Sequence, residues 1–149
     1  MQAVIFVGIQ ASGKTAFFLE RLFGTHVRIN LDMLKTRHRE RGLIRACLDL
    51  KQPFVVDNTN PTREDRRAYI DAARKAKFRV VGYYFQSMVD ACIERNARRP
   101  EKQRAPEQGI RGTHSRLQVP TPEEGFDALY YVQIDPDGKF LVSDWTGNE

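Results

Sequence analysis

No apolar run in this chain approaches the length that crosses a bilayer, and the N-terminus lacks the basic-then-apolar layout of a secretory leader. The sequence therefore predicts a cytoplasmic protein that does not engage a membrane. Cysteine is scarce: among 149 residues there are 2, Cys47 and Cys92, set far apart in helix-like apolar stretches. They read as reduced thiols, which excludes a disulfide framework. The 3 histidines, His26, His38 and His114, are scattered, so no zinc site is expected. There is no internal repeat, no low-complexity tract and no sign of a second domain. One domain over 1–149, large enough for a proper hydrophobic core, is the expectation.

The net charge of +5 is modest, but its distribution is uneven. Lys35, Arg37, Arg39, Arg41 and Arg45 form one basic stretch. Arg95, Arg98, Arg99, Lys102 and Arg104 form a second, followed by Arg111 and Arg116. For a single arginine a solvated helix face is the ordinary reading. Two such stretches beside a nucleotide site favour a polyanionic substrate.

That site is indicated by Gly8-Ile9-Gln10-Ala11-Ser12-Gly13-Lys14-Thr15, which fits the phosphate-binding pattern G-x-x-x-x-G-K-[ST] at every fixed position. The apolar run Ala3 to Val7 reads as a buried strand leading into it. Behind it Phe18, Leu19, Leu22 and Phe23 share a helical face, with Gly24 as the expected C-cap. A strand, a glycine loop and a helix start together make an anion site of backbone N–H groups and helix dipole. Gly8, Gln10, Ala11, Ser12, Gly13, Lys14 and Thr15 are the expected ATP-binding residues. Lys14 would reach the β- and γ-phosphates and the Thr15 hydroxyl would hold Mg²⁺.

Downstream the chain alternates strand-like and helix-like segments, predicting α/β architecture. Val27 to Ile29 is a short second strand, and a helical region starts near Asp32 and breaks around Gly42. Phe54 to Val56 is a third strand. Thr62 and Asp65 form a capping pattern for a helix whose buried stripe is Ala68, Tyr69, Ala72, Ala73 and Ala76. Phe78 to Phe85 is mostly apolar and reads as a central strand. Ser87 is the expected cap of the next helix, on which Met88, Ala91 and Cys92 share a face. From Pro100 to Thr121 the pattern dissolves into a polar, basic, proline-punctuated segment with some helix, which suits a mobile lid at approximately 99–121. Tyr130 to Ile134 and Phe140 to Val142 form a final strand pair around the turn Asp135-Pro136-Asp137-Gly138.

A phosphate loop alone does not separate a switch, an ATPase and a kinase. Asp32 follows the second strand, where the C-terminal strand ends of a parallel sheet line the ligand crevice. A carboxylate there suits acceptance of a proton from an attacking hydroxyl. It is also an ordinary place for a helix cap or turn residue. Asp57 has the apolar-strand-then-Asp form that often holds a metal's water shell. Arg95, Arg98 and Arg99 stand at the start of the suspected lid, where guanidinium groups stabilise a transferring phosphoryl group.

The chain resembles the P-loop 5′-hydroxyl polynucleotide kinases, the kinase modules of nucleic-acid end-healing enzymes. Four segments carry the resemblance: Gly8 to Thr15; Ile29-Asn30-Leu31-Asp32; Val56-Asp57-Asn58-Thr59-Asn60-Pro61; and Glu94-Arg95-Asn96-Ala97-Arg98-Arg99. The tail Val119 to Phe126 is also similar to the end of the mammalian-type module. The resemblance implies a three-layer P-loop NTPase/kinase fold, with a mostly parallel sheet, helices on both faces and a basic lid. It implies transfer of the γ-phosphate of ATP to the 5′-hydroxyl of DNA or RNA with Mg²⁺. Lys14, Asp32 and Arg99 would be catalytic, with Asp32 as the base. Arg95 and Arg99 would contact ATP from the lid, and Thr15 and Asp57 would serve the metal. Lys35 and Asn58 would face the acceptor, Lys35 standing where some members place an arginine. A lysine supplies the charge without the planar fork. The expected partners are nucleic-acid 5′-OH ends, with no obligate protein partner. A small-metabolite, nucleoside or sugar-nucleotide kinase and a non-catalytic nucleotide switch are the alternatives.

Overall fold

The computed structural model describes residues 1–147. Strand β1 (Gln2–Val7) is the axis of the fold, and its alternation shows why. Ala3, Ile5 and Val7 enter one hydrophobic cluster, and Val4 and Phe6 enter another. Side chains alternate across a strand, so apolar residues at every position require a sheet covered on both faces. Helix α1 (Lys14–Arg21) covers one face through Phe17 and Phe18. Helices α3 (Arg37–Leu50) and α4 (Arg63–Lys75) cover the other, through Ile44, Cys47, Ile70 and Ala73.

The sheet has six strands in the order β2-β3-β1-β4-β5-β6. The remaining strands are β2 (Val27–Ile29), β3 (Phe54–Val56), β4 (Arg79–Phe85), β5 (Ala128–Ile134) and β6 (Phe140–Asp144). Strands β1 to β5 run parallel, and β6 returns antiparallel along β5, with Ile134 opposite Phe140. The C-terminal ends of the parallel strands therefore open onto one edge of the sheet. A short helix α2 (Leu31–Leu34) lies between β2 and α3, and α5 (Val89–Ala97) and α6 (Glu107–Arg116) lie between β4 and β5. This is the three-layer α/β P-loop NTPase/kinase architecture expected from the sequence. Among the described residues no helix is long and apolar enough to cross a membrane.

Several local expectations need correction. Helix α1 stops at Arg21, and the Thr25 and His26 amides close a turn onto Leu22 O, so Gly24 is a turn residue and not the C-cap. Leu19 and Phe23 are exposed. The helical break falls at Lys35 (φ 74°), after which the Thr36 side chain accepts from Arg39 N and starts α3. Gly42 lies inside α3 on its exposed face, where nothing would meet an added Cβ. In α4 the capping box of Thr62 and Asp65 is present, but Ala68 is exposed, and Arg66, Ile70 and Ala73 are the buried residues. Met88 is exposed and precedes α5, and Ser87 makes no cap.

The segment between α5 and β5 includes a 3₁₀ turn, Glu101–Gln103, then α6, whose Ile110 is fully buried against Ile9, Ala11 and Cys92. Its end is fixed by Arg66, a fully buried arginine. Arg66 Nε and Nη2 donate to the Glu124 carboxylate at 2.8 and 3.0 Å, Nη1 to Asn60 O at 2.8 Å and Nη2 to Gln118 O at 3.0 Å. One side chain thus joins α4, the chain after β3 and the return to β5. Removing one partner of a buried pair leaves the other charge uncompensated. Arg66→Met is therefore expected to destabilise the fold by about 3–5 kcal/mol in urea unfolding.

Candidate active site

The loop between β1 and α1 is shaped by hydrogen bonds to the chain that follows each neighbouring strand, β3 and β4. Gly8 N donates to Thr59 O at 3.0 Å, and Ile9 N to Ser87 Oγ at 3.1 Å. Ser87 thus hooks the end of β4 to the loop. Ala11 (φ 63°) and Gly13 (φ 101°) adopt left-handed backbone, the conformation from which anion-binding nests are built. At Gly13 the φ of 101° strains any other residue, and a Cβ there would crowd Ile134 Cδ1 at 3.0 Å and Phe140 Cε1 at 3.2 Å. Two buried side-chain atoms in the loop, Gln10 Oε1 and Ser12 Oγ, have no hydrogen-bond partner among the described residues. Buried polar atoms ordinarily have one, so their lack of one fits a loop shaped around a polar ligand.

Lys14 Nζ donates to Gly8 O at 3.0 Å and Ile9 O at 2.8 Å. Its pKa is lowered to about 8, chiefly by burial. Asp57, Cys92 and Asp32 oppose that shift, and the Arg99 guanidinium adds to it. Residues from α2, from the end of β3 and from α5 and its end therefore act electrostatically on one ammonium, and Asp32, Asp57 and Arg99 are among those the sequence points to.

Beside Lys14 the Thr15 hydroxyl donates to Asp57 Oδ2 at 3.2 Å, and Asp57 is 2 % exposed. Arg28, from β2, donates through Nε to the same Oδ2 at 2.8 Å and through Nη2 to Thr15 Oγ1 at 3.2 Å. A hydroxyl and a carboxylate are hard oxygen donors of the kind Mg²⁺ takes. Among the described residues no cluster of three or more His, Cys, Asp or Glu side chains could cage an ion. Thr15 and Asp57 thus fit an ion that keeps phosphate oxygens and water as its other ligands, the usual magnesium arrangement.

Asp32 is placed by a network around α2. The Asn30 side chain caps the helix by accepting from Met33 N at 3.0 Å, and donates to Asp57 O at 2.6 Å. Leu31 N donates to Asn58 Oδ1 at 2.9 Å, and Asn58 Nδ2 donates to Glu40 Oε2 at 3.0 Å. Glu40 is buried and also accepts from Tyr69 Oη at 2.8 Å and Arg37 Nη1 at 2.9 Å. Burial and the bond to Glu40 push the Tyr69 phenol up to about 12. Asp32 stands exposed in the first turn of α2. Lys35 is exposed at the end of that helix. The Asn58 amide is engaged at both ends within the protein.

From the other side, Arg95 Nη1 donates to Ala11 O at 3.0 Å. Gln10 Nε2 donates to Thr113 Oγ1 of α6 at 3.1 Å. The Asn96 amide and Ala105 backbone exchange bonds of 2.7 and 2.9 Å, closing the chain between α5 and α6. Sequence reading missed Arg28, Glu40, Ser87 as a loop anchor, and the contact of Gln10 with Thr113. The visible signal for Arg28 was a charged residue inside a three-residue apolar strand. Glu40 and Thr113 had none, since each is a polar residue in a polar stretch of its helix and reads as solvated.

A loop of this form at the C-terminal edge of a parallel sheet, with a lysine inside it and acidic and basic groups around that lysine, defines the P-loop kinase class of nucleotide-binding folds. The chain belongs to the AAA domain family, whose model matches residues 33–120. It is 31% identical over 129 residues to the bifunctional polynucleotide phosphatase/kinase of Schizosaccharomyces pombe (strain 972). That match takes in 84% of this chain and 32% of the relative, so the chain spans about a third of the relative's length. Among solved structures, Chaetomium thermophilum Kti12 in complex with ADP-AlF3 superposes with a TM-score of 0.67 at 16% identity, over 91% of this chain and 92% of that one. A gluconokinase from Sinorhizobium meliloti 1021 superposes with a TM-score of 0.62 at 16% identity, over 89% and 82%. At such identities these structures share the fold.

The Lys14 shift sets a pH dependence. A polyphosphate favours the ammonium and raises its pKa from about 8, so binding takes up a proton above that pH. Affinity for tripolyphosphate should be full below pH 8 and fall by up to about tenfold per pH unit above it. Calorimetry at pH 7 and 9 checks this, and Lys14→Met should remove both the binding and its pH dependence.

Proposed function

We propose that this protein transfers the γ-phosphate of ATP to the 5′-hydroxyl end of DNA or RNA. The observation that carries this reading is the placement of Asp32 in the first turn of α2, a helix tied through Asn30 and Asn58 to the segment that bears Asp57 beside the loop. A nucleotide switch needs no acceptor base, whereas a kinase needs a base and a cation on opposite sides of the phosphoryl group. The identity to the fission-yeast phosphatase/kinase supports a polynucleotide acceptor, as do the exposed arginines Arg37, Arg39, Arg41 and Arg45 of α3.

In this mechanism the loop amides and Lys14 hold the β- and γ-phosphates. Arg95, from α5, and Arg99, at the start of the segment of approximately 99–121 that serves as the lid, contact the ATP phosphates. Asp32 accepts the proton of the 5′-hydroxyl as its oxygen bonds to the γ-phosphorus and the bond to the ADP oxygen breaks. Mg²⁺ held at Thr15 and Asp57 supplies charge neutralisation on the phosphate oxygens when bound. Asn58 keeps the start of α2 in place, so its influence on the acceptor passes through Asp32. Lys35 and the α3 arginines hold acceptor phosphates as point charges and forks respectively.

The test is incubation with γ-labelled ATP and a 5′-OH oligonucleotide, beside a panel of nucleosides, gluconate and sugar nucleotides. The oligonucleotide should take the label. Label on a small alcohol would establish a metabolite kinase, and ATP binding without transfer to any alcohol would establish a switch. Asp32→Ala should lower transfer by about 10²–10⁴-fold with ATP binding retained. The KM of the oligonucleotide should rise with salt much more steeply than that of ATP, because phosphate contacts release counterions.

A further inference from the structure

Arg28 stands outside every motif that the nucleotide reading uses, yet its guanidinium touches both of the oxygen donors offered to a divalent ion. One oxygen, Asp57 Oδ2, receives Arg28 Nε at 2.8 Å and the Thr15 hydroxyl at 3.2 Å. A second arm, Nη2, lies 3.2 Å from Thr15 Oγ1. The Arg28 side chain is 26 % exposed and that of Asp57 is 2 % exposed, so this ion pair lies against the protein interior, where charges are weakly screened. A fork that bridges a carboxylate and a hydroxyl also holds their separation, which is the geometry an arginine favours over a lysine.

We propose that Arg28 is a stand-in cation, a positioning residue that keeps Thr15 and Asp57 aligned and makes divalent-ion binding conditional on the nucleotide. The inference rests on the reading of the loop as a nucleotide site. A divalent ion that takes Asp57 Oδ2 must displace Arg28 Nε, and the two cations then stand side by side in a poorly screened place. Without a polyanion nothing offsets that repulsion, and the guanidinium keeps the carboxylate. With a triphosphate in the loop the added negative charge offsets it. The ion then enters with the nucleotide, and the freed guanidinium faces the phosphates. Free divalent ions are thereby kept from occupying the loop alone.

The test uses the full chain and two direct binding readouts, neither of which depends on phosphoryl transfer. Electron paramagnetic resonance counts Mn²⁺ taken up without nucleotide, and fluorescence of a methylanthraniloyl-labelled ATP is titrated with Mg²⁺. Wild type should take up almost no Mn²⁺ alone. Arg28→Gln should bind Mn²⁺ alone at least about tenfold more tightly, since one opposing charge is gone. It should also reach half-maximal nucleotide binding at lower Mg²⁺. Arg28→Lys, which keeps the charge without the fork, should still exclude free Mn²⁺, and this variant carries the test if Arg28→Gln does not fold. Tight Mn²⁺ uptake by wild type without nucleotide would overturn the proposal. So would a folded Arg28→Gln protein with wild-type Mn²⁺ affinity and Mg²⁺ requirement, or an Arg28→Lys protein that binds free Mn²⁺. Wild type that fails to bind the labelled ATP under any condition would instead remove the nucleotide reading itself.

Discussion

A buried ammonium has to find negative charge or give up its proton, and the site is organised around that constraint. Lys14 is carried by the first turn of α1 into a loop of left-handed residues, where two backbone carbonyls are its hydrogen-bond acceptors. Carbonyls compensate an ammonium only partly. The remaining compensation comes from carboxylates that the sheet delivers from elsewhere: Asp57 from the end of β3 and Asp32 from beyond β2. The strand order puts β3 and β4 on either side of β1, so the chain after each of them arrives beside the loop. Anion affinity follows from this arrangement, because a triphosphate answers the lysine better than the protein does.

The core architecture was legible because its signals are local and strong. The apolar run of β1, the glycine spacing of the loop, the Thr62–Asp65 cap and the turn at Asp135 each depend on a few neighbouring residues. The same is true of the aspartates after β2 and β3, which a parallel sheet brings to one edge. What escaped reading is long-range. Ser87 has the form of a helix cap, and only the folded chain shows its hydroxyl receiving Ile9 N from 78 residues away. Arg66 looks like one more charge on a polar helix, and its burial depends on Glu124 and the Gln118 carbonyl, 58 and 52 residues further along the chain. Glu40 is hidden for the same reason, since its partners Asn58 and Tyr69 belong to later segments.

These buried polar groups divide the labour around the loop. Glu40 and Asn58 hold the acidic side, fixing the backbone that bears Asp32. Arg66 and Glu124 hold the far end of the basic side, where the chain leaves α6 and returns to the sheet. Between them Arg95, Gln10 and Ile110 tie α5 and α6 directly to the loop. A polar network of this kind tolerates little loss, because each member left without its partner is more costly than an apolar replacement of the whole. The acidic and basic halves are thus braced by different groups, and Arg66 links them through Asn60 O.

The antiparallel return of β6 has a bearing on the loop that its place at the sheet edge conceals. Ile134 and Phe140 sit at the two feet of that hairpin, and their side chains close the space behind Gly13. The glycine turn is thus backed by two side chains that lie far along the chain from it. A change of side-chain size at either foot of the hairpin would therefore reach the turn through packing, without touching a ligand.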